Sequence, residues 1–210
     1  MLKRWTISLV ALTFALTIFG TFVTRSGLIS SVHAFGVSDL GPLFLGFLAL
    51  IIIFSAALLG TRGDVLKGKR DIGSWTSKEA SFLLNNMLFV AITIGVFVGT
   101  LMPSLSELFK GEQMTVGVDF FNRMATPIGL GVFLLIGVCT ALSWTKTSGD
   151  KLLRNLLLPL VVAVLFSALF ITMGIRGSVP LISLAIAVFS IAITLQDYVR
   201  GVRVHNAQQG

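Results

Sequence analysis

The sequence has 210 residues, of which 55% are hydrophobic and only 12% are charged, and its mean hydropathy is +0.94. A soluble domain carries about a quarter charged residues, so this chain has too few of them to cover a water-facing surface. A formal net charge of +7, from 16 Lys and Arg against 9 Asp and Glu, is also typical of proteins that bind nucleic acid. The basic residues instead fall in short segments between apolar stretches, where they orient a membrane protein. We therefore expect membrane lipid as a partner and no nucleic acid.

Six apolar stretches each approach the roughly 20 residues that a helix needs to cross the hydrocarbon core of a bilayer. Lipid cannot hydrogen-bond a bare backbone, so each stretch must be helical. The sequence therefore predicts an all-α polytopic transmembrane bundle, with residues 1–210 forming a single transmembrane domain of about six spans. The predicted spans are Trp5–Val23, Leu40–Gly60, Ala80–Met102, Met124–Trp144, Leu156–Met173 and Val179–Leu195.

The distribution of Lys and Arg between the spans predicts the orientation of the chain. Twelve of these residues fall on the side that holds both termini, and four fall on the other side. By the positive-inside rule both termini are cytoplasmic, and the aromatic anchors Trp5, Trp75, Trp144 and Tyr198 fall on the same side. The four outer residues are Arg25, Lys110, Arg123 and Arg176.

Several local patterns predict features of individual helices. Thr76 and Glu79 have the spacing of a capping box, with Thr76 as the N-cap of the third helix. Gly95 begins a GxxxG pattern that favours close helix approach. Asn85 and Asn86, one turn into the same span, are expected to bond to neighbouring helices or to interfacial water. The single cysteine, Cys139, cannot form an intrachain disulfide and is interpreted as a packing residue.

The first outer segment contains the residues most suited to binding chemistry. His33 is the only histidine predicted on the outer side, and Arg25 lies at the outer end of a span. A neutral imidazole can ligate a metal such as haem iron, and an arginine can pair with a carboxylate such as a haem propionate. From the residues alone, a solvent-facing histidine and an arginine paired with lipid phosphate remain the simpler interpretation. His205, in the polar C-terminal tail, is interpreted as a solvated residue, and no residue is assigned as catalytic.

The same segment resembles the CcmF family, the haem-lyase membrane proteins of cytochrome c maturation. The resemblance is carried by GTFVTRSG over residues 20–27 and SVHAF over residues 31–35. It continues through SKEA at 77–80, LLNN at 83–86 and FFNR at 120–123, in order along the chain. The resemblance covers essentially the whole sequence.

The resemblance implies that the chain belongs to the machinery that joins haem to the CxxCH motif of apocytochrome c. It implies haem b as a substrate held at the periplasmic face of the bacterial inner membrane. His33 matches an axial haem ligand of the family, and Thr24, Arg25 and Ser26 are candidates for positioning the haem. The implied partners are the remaining part of the haem lyase, a periplasmic haem chaperone, and apocytochrome c with its thiol-reducing or chaperone subunits.

The sequence also departs from the family pattern. It lacks the tryptophan-rich segment, a second outer histidine and any histidine within a span. We therefore expect this chain to be the central part of a longer protein, in which Met1 is an internal position. It would be either a fragment or one product of a split gene. Such a chain is not expected to be catalytically complete alone. The alternatives are a transport module for haem or another solute, and a structural scaffold subunit.

Overall fold

The structure is a computed structural model that describes residues 2–26, 40–66, 74–144 and 146–209. All regular secondary structure within these ranges is helical. The helices are α1 Leu2–Arg25, α2 Leu40–Thr61, α3 Lys78–Lys110, α4 Val118–Ala141, α5 Gly149–Thr172 and α6 Ser178–Gln209. All six are long and apolar enough to cross a membrane, which confirms the predicted all-α membrane fold.

Two helices extend well beyond the apolar stretches from which the spans were predicted. Helix α3 continues through Pro103 to Lys110, and α6 continues past Leu195 through a polar tail to Gln209. At 1.5 Å per residue, helices of 33 and 32 residues are each about 50 Å long. The hydrocarbon core is only about 30 Å thick, so part of each helix extends beyond it.

The chain divides into two compact units. The first contains Met1–Asp71 and Val98–Val116, and the second contains Ile72–Phe97 and Gly117–Gly210. Helix α3 therefore contributes its first part to the second unit and its last part to the first.

In the first unit, α1 and α2 pack against each other as an antiparallel pair. At one end, a Cβ atom placed on Gly41 would lie 3.3 Å from Cα of Ser26. At the other end, the guanidinium group of Arg4 lies against Gly63, just beyond the end of α2. The absence of a side chain at each glycine allows the two helix ends to approach closely.

In the second unit, α6 packs against α4 and α5. The core consists of Ala163, Phe189 and Ile193, with Val138 and Leu156 among the partly buried residues around it. Gly137 of α4 faces the Phe189 ring, where a Cβ atom would lie 3.0 Å from a ring carbon. The Ser190 hydroxyl donates a hydrogen bond across the same contact to the Phe133 carbonyl, at 3.2 Å.

The predicted capping box of α3 is wrong by one residue. Ser77 is the N-cap, because its Oγ accepts a hydrogen bond from the Ala80 amide at 3.2 Å. The Thr76 hydroxyl instead donates to the Thr147 carbonyl at 3.1 Å, and the Thr147 amide donates back to the Thr76 carbonyl at 3.0 Å. The Thr76 hydroxyl, which the local pattern had assigned to the helix, is thus bonded to a residue distant in sequence.

Candidate functional site

The last turn of α1 and the residue that follows it contain three of the four residues that the sequence predicts at a haem site. The Thr24 hydroxyl lies 3.0 Å from the Thr21 carbonyl and 3.2 Å from the Gly20 carbonyl, both within α1. The Ser26 hydroxyl donates to the Val23 carbonyl at 3.4 Å. A hydroxyl has a single proton to donate, so both groups have used theirs on the backbone. In this arrangement they can only accept hydrogen bonds from a ligand.

Arg25 lies between these two residues, at the last position of α1, and is half-buried. Its guanidinium carries five N–H donors and a permanent positive charge, which suits the two oxygens of a carboxylate. The carbonyl end of a helix also stabilises a cation. Of the three described candidates, Arg25 is therefore the one able to donate hydrogen bonds to an anionic ligand.

Ser26 contacts Gly41 where the end of α1 meets the beginning of α2. We call these two helix ends the rim of the first unit. Cα and Cβ of Ser26 both lie 3.3 Å from where a Cβ on Gly41 would stand, and the Arg25 carbonyl lies 3.9 Å from it. The end of α1 and the beginning of α2 are thus in direct contact, and Gly41 is buried between them. These two ends flank residues 27–39.

The predicted axial ligand, His33, belongs to the segment 27–39 and lies outside the described residues. His205 is exposed near the end of α6. Among the residues that the structure describes, no group of three or more His, Cys, Asp and Glu side chains could hold a metal ion. The described part of the chain therefore contributes Arg25, a cation, at one of the two helix ends that flank this segment.

A cavity of about 320 Å³ lies between α3 and α4 in the second unit, and the sequence patterns did not predict it. Its lining is Lys78, Ser81, Phe82, Asn85, Leu135, Ile136, Cys139, Thr140 and Trp144. The α3 residues recur at intervals of three or four, so they share one helix face. That spacing was visible in the sequence, but it could not show that α4 would leave a gap opposite this face.

Polar contacts of the segment between α4 and α5 hold one end of this cavity. The Lys78 amide donates to the Ser143 carbonyl at 2.9 Å, and the Ser143 amide donates to Thr147 Oγ1 at 2.8 Å. The Lys78 ammonium lies 5.7 Å from the centre of the Trp144 ring, within the range of a cation–π contact. Phe82 lies against the same indole, with ring centres 6.2 Å apart.

The other end of the cavity contains Asn85. Its Oδ1 atom is buried and has no hydrogen-bond partner among the described residues, so the expected bond to a neighbouring helix is not formed by this atom. An unsatisfied buried acceptor costs about 1–3 kcal/mol.

No protein-family model matches the chain, but individual proteins do. It is 34% identical over 209 residues to the cytochrome c-type biogenesis protein CcmF of Escherichia coli, covering 96% of this chain and 32% of that protein. It is 36% identical over 169 residues to the cytochrome c-type biogenesis protein ccl1 of Rhodobacter capsulatus, covering 80% of this chain and 26% of that protein.

A solved structure titled "Cytochrome c Heme Lyase CcmF" has a similar fold. The TM-score is 0.67 with 27% sequence identity, over 96% of this chain and 29% of the other. The chain thus spans between about a quarter and a third of the length of the relatives that it matches here. Sequence identity and fold agree along almost the whole chain, which therefore belongs to the CcmF family of cytochrome c-type biogenesis proteins.

Proposed function

We propose that this chain forms part of a membrane haem lyase of cytochrome c maturation, in which it holds haem b as a substrate for attachment to apocytochrome c. The observation that carries the proposal is the match to the haem lyase CcmF over 96% of the chain, in both sequence order and fold. The relatives are longer, so the complete reaction is expected to require partners: the rest of the lyase, a haem chaperone and apocytochrome c.

We place the haem at the rim formed by the end of α1 and the beginning of α2, with His33 as one axial ligand of the iron. The contact between Ser26 and Gly41 supports this, because it brings together the two described ends of the segment that carries His33. Arg25 would pair with a haem propionate beside it. The distribution of Lys and Arg favours the periplasmic side of the bacterial inner membrane for this rim.

The decisive experiment replaces His33 in the chain expressed in its native membrane with the rest of the maturation system. Loss of an axial imidazole in His33→Gly should reduce the haem that purifies with the protein, measured by Soret absorbance, to less than about one tenth. Free imidazole added to the His33→Gly membranes should restore it, because imidazole can occupy the vacated ligand position.

His205→Gly is the matched control and should retain its haem, since His205 lies in the exposed end of α6. Unchanged haem in His33→Gly would overturn the ligand assignment. A wild-type protein without any Soret absorbance would overturn the proposed haem binding and favour a scaffold subunit.

A further inference from the structure

The cavity between α3 and α4 combines an apolar wall with a cation at one end. At the other end is the Asn85 amide, whose oxygen has no hydrogen-bond partner among the described residues. Lys78 begins α3, and Asn85 lies seven residues further along, about 10 Å deeper by the rise of a helix. Between them the lining is dominated by apolar side chains, including Phe82, Leu135 and Ile136. This cavity lies in the second unit, whereas the proposed haem site lies in the first.

The order of Lys78, Trp144 and then the apolar wall matches the order of head group and acyl chain in one membrane leaflet. Lysine and tryptophan are typical of the membrane–water interface, where the ammonium group remains hydrated and the indole lies at the level of the head groups. Lys78 and Trp144 are in contact at one end of the cavity, and they mark that end as interfacial. The apolar wall then extends toward the hydrocarbon core.

In the described chain the cavity is open on the side where Phe82 and Ile136 lie. Phe82 is 47% exposed and Ile136 is 50% exposed, although both line the cavity. A ligand can therefore enter sideways from the bilayer, without passing through water. Its volume of about 320 Å³ is at the lower end of the range for small-molecule sites.

We propose that this cavity binds one anionic phospholipid from the leaflet next to Lys78. Its phosphate lies at the Lys78 ammonium, and an acyl chain lies along Phe82 and Ile136. Basic pockets between transmembrane helices are suited to lipid head groups. The Nδ2 group of Asn85, deeper in the cavity, can donate a hydrogen bond to an ester carbonyl of the lipid.

The test uses Trp144 as a reporter inside the site. Replacing Trp5 and Trp75 by Phe leaves Trp144 as the single tryptophan of the 210-residue chain. This protein is reconstituted into vesicles that contain lipid with brominated acyl chains, which quench indole fluorescence on contact. Brominated phosphatidylglycerol, which is anionic, is compared with brominated phosphatidylcholine, which has no net charge.

We expect phosphatidylglycerol to associate with the site about fivefold more strongly than phosphatidylcholine, the effect of about one lysine at a membrane surface. Lys78→Gln should abolish this preference, whereas Lys78→Arg should retain it. Lys151→Gln is the matched control, because Lys151 is an exposed lysine of α5 that does not line the cavity. Cys139→Phe should fill the cavity and reduce quenching by both lipids, with the smaller Cys139→Leu giving a smaller loss.

Equal quenching of the wild-type protein by the two lipids would overturn the proposal. The same conclusion follows if Lys151→Gln loses the preference as fully as Lys78→Gln does. Quenching that is unaffected by both substitutions of Cys139 would also overturn the proposal, because the quenching lipid would then lie outside the cavity.

Discussion

Thr24 and Ser26 each donate their single hydroxyl proton to a backbone carbonyl of α1. Hydroxyl side chains on a helix commonly bond to a backbone carbonyl three or four residues earlier, as these two do. Arg25 differs because its five donors exceed what a helix end can accept. At the scale of single residues, an anionic group at this rim is therefore expected to depend on Arg25 and to be insensitive to its two neighbours.

We predict that Arg25→Gln weakens haem retention about tenfold, because a charge-assisted hydrogen bond contributes about 1.5–3 kcal/mol. Thr24→Val and Ser26→Ala should leave haem retention within about twofold of the wild type. The measurement is the Soret absorbance of the purified protein during titration with a competing haem-binding protein. A loss in Thr24→Val equal to that in Arg25→Gln would mean that the turn as a whole is required, and not the charge.

The connection between α5 and α6 is a turn built on one glycine. Gly174 has a φ of +95°, and the Ile175 amide donates to the Phe170 carbonyl while the Gly174 amide donates to the Ile171 carbonyl. These bonds form a Schellman motif, which satisfies carbonyls that the end of a helix would otherwise leave unpaired. Gly174 is thus the residue that allows the tight turn between the two helices.

We predict that Gly174→Ala destabilises the second unit by about 1–2 kcal/mol, the cost of a left-handed conformation for a residue with a Cβ atom. Gly201→Ala, within α6, should be neutral or slightly stabilising, because alanine is the better helix former. Unfolding in a mixture of mild detergent and dodecyl sulfate, followed by tryptophan fluorescence, measures both. Equal effects of the two substitutions would contradict the assigned role of the positive φ.

At the scale of the whole molecule, the spans bury little of their surface against one another. Between 6% and 17% of the residues in the most apolar part of each span are buried. The remaining apolar surface faces lipid or, in a larger assembly, other helices. With so little apolar contact within the chain, a few polar contacts between helices become important for holding it together.

Asn155 is the centre of one such set of contacts, joining α4, α5 and α6. Its Nδ2 group donates to the Ala141 carbonyl at 3.4 Å, and its Oδ1 atom accepts a bond from Arg200. Its backbone carbonyl accepts a bond from Gln196 Nε2 at 3.1 Å. We predict that Asn155→Leu lowers the free energy of unfolding by about 1 kcal/mol, since interhelical hydrogen bonds in membranes are individually modest.

Asn122→Leu is the matched control for Asn155→Leu, because Asn122 is an exposed residue of α4. It should leave stability unchanged in the same unfolding assay. A double-mutant cycle with Arg200→Ala isolates the side-chain contact, and we expect a coupling free energy of about 0.5–1 kcal/mol. A coupling of zero would show that the bond between Asn155 and Arg200 does not contribute to stability.

The sequence by itself determined the membrane class, the number and approximate positions of the helices, and the family. Hydropathy is a property of each residue summed along the chain, and lipid imposes helical structure on any long apolar segment. The motif over residues 20–27 and 31–35 is likewise local. The ends of α3 and α6 were less predictable, because backbone hydrogen bonding continues a helix after its hydropathy has fallen.

Only the tertiary structure decided which polar groups are available and where space remains. The Thr76 hydroxyl bonds to Thr147, so Ser77 caps α3 instead, and the two residues in contact are 71 positions apart. The cavity beside Lys78 and Asn85 exists because α4 approaches α3 without filling the space opposite them. Such features depend on the distance between segments that are remote in sequence, and no local pattern of residues contains that distance.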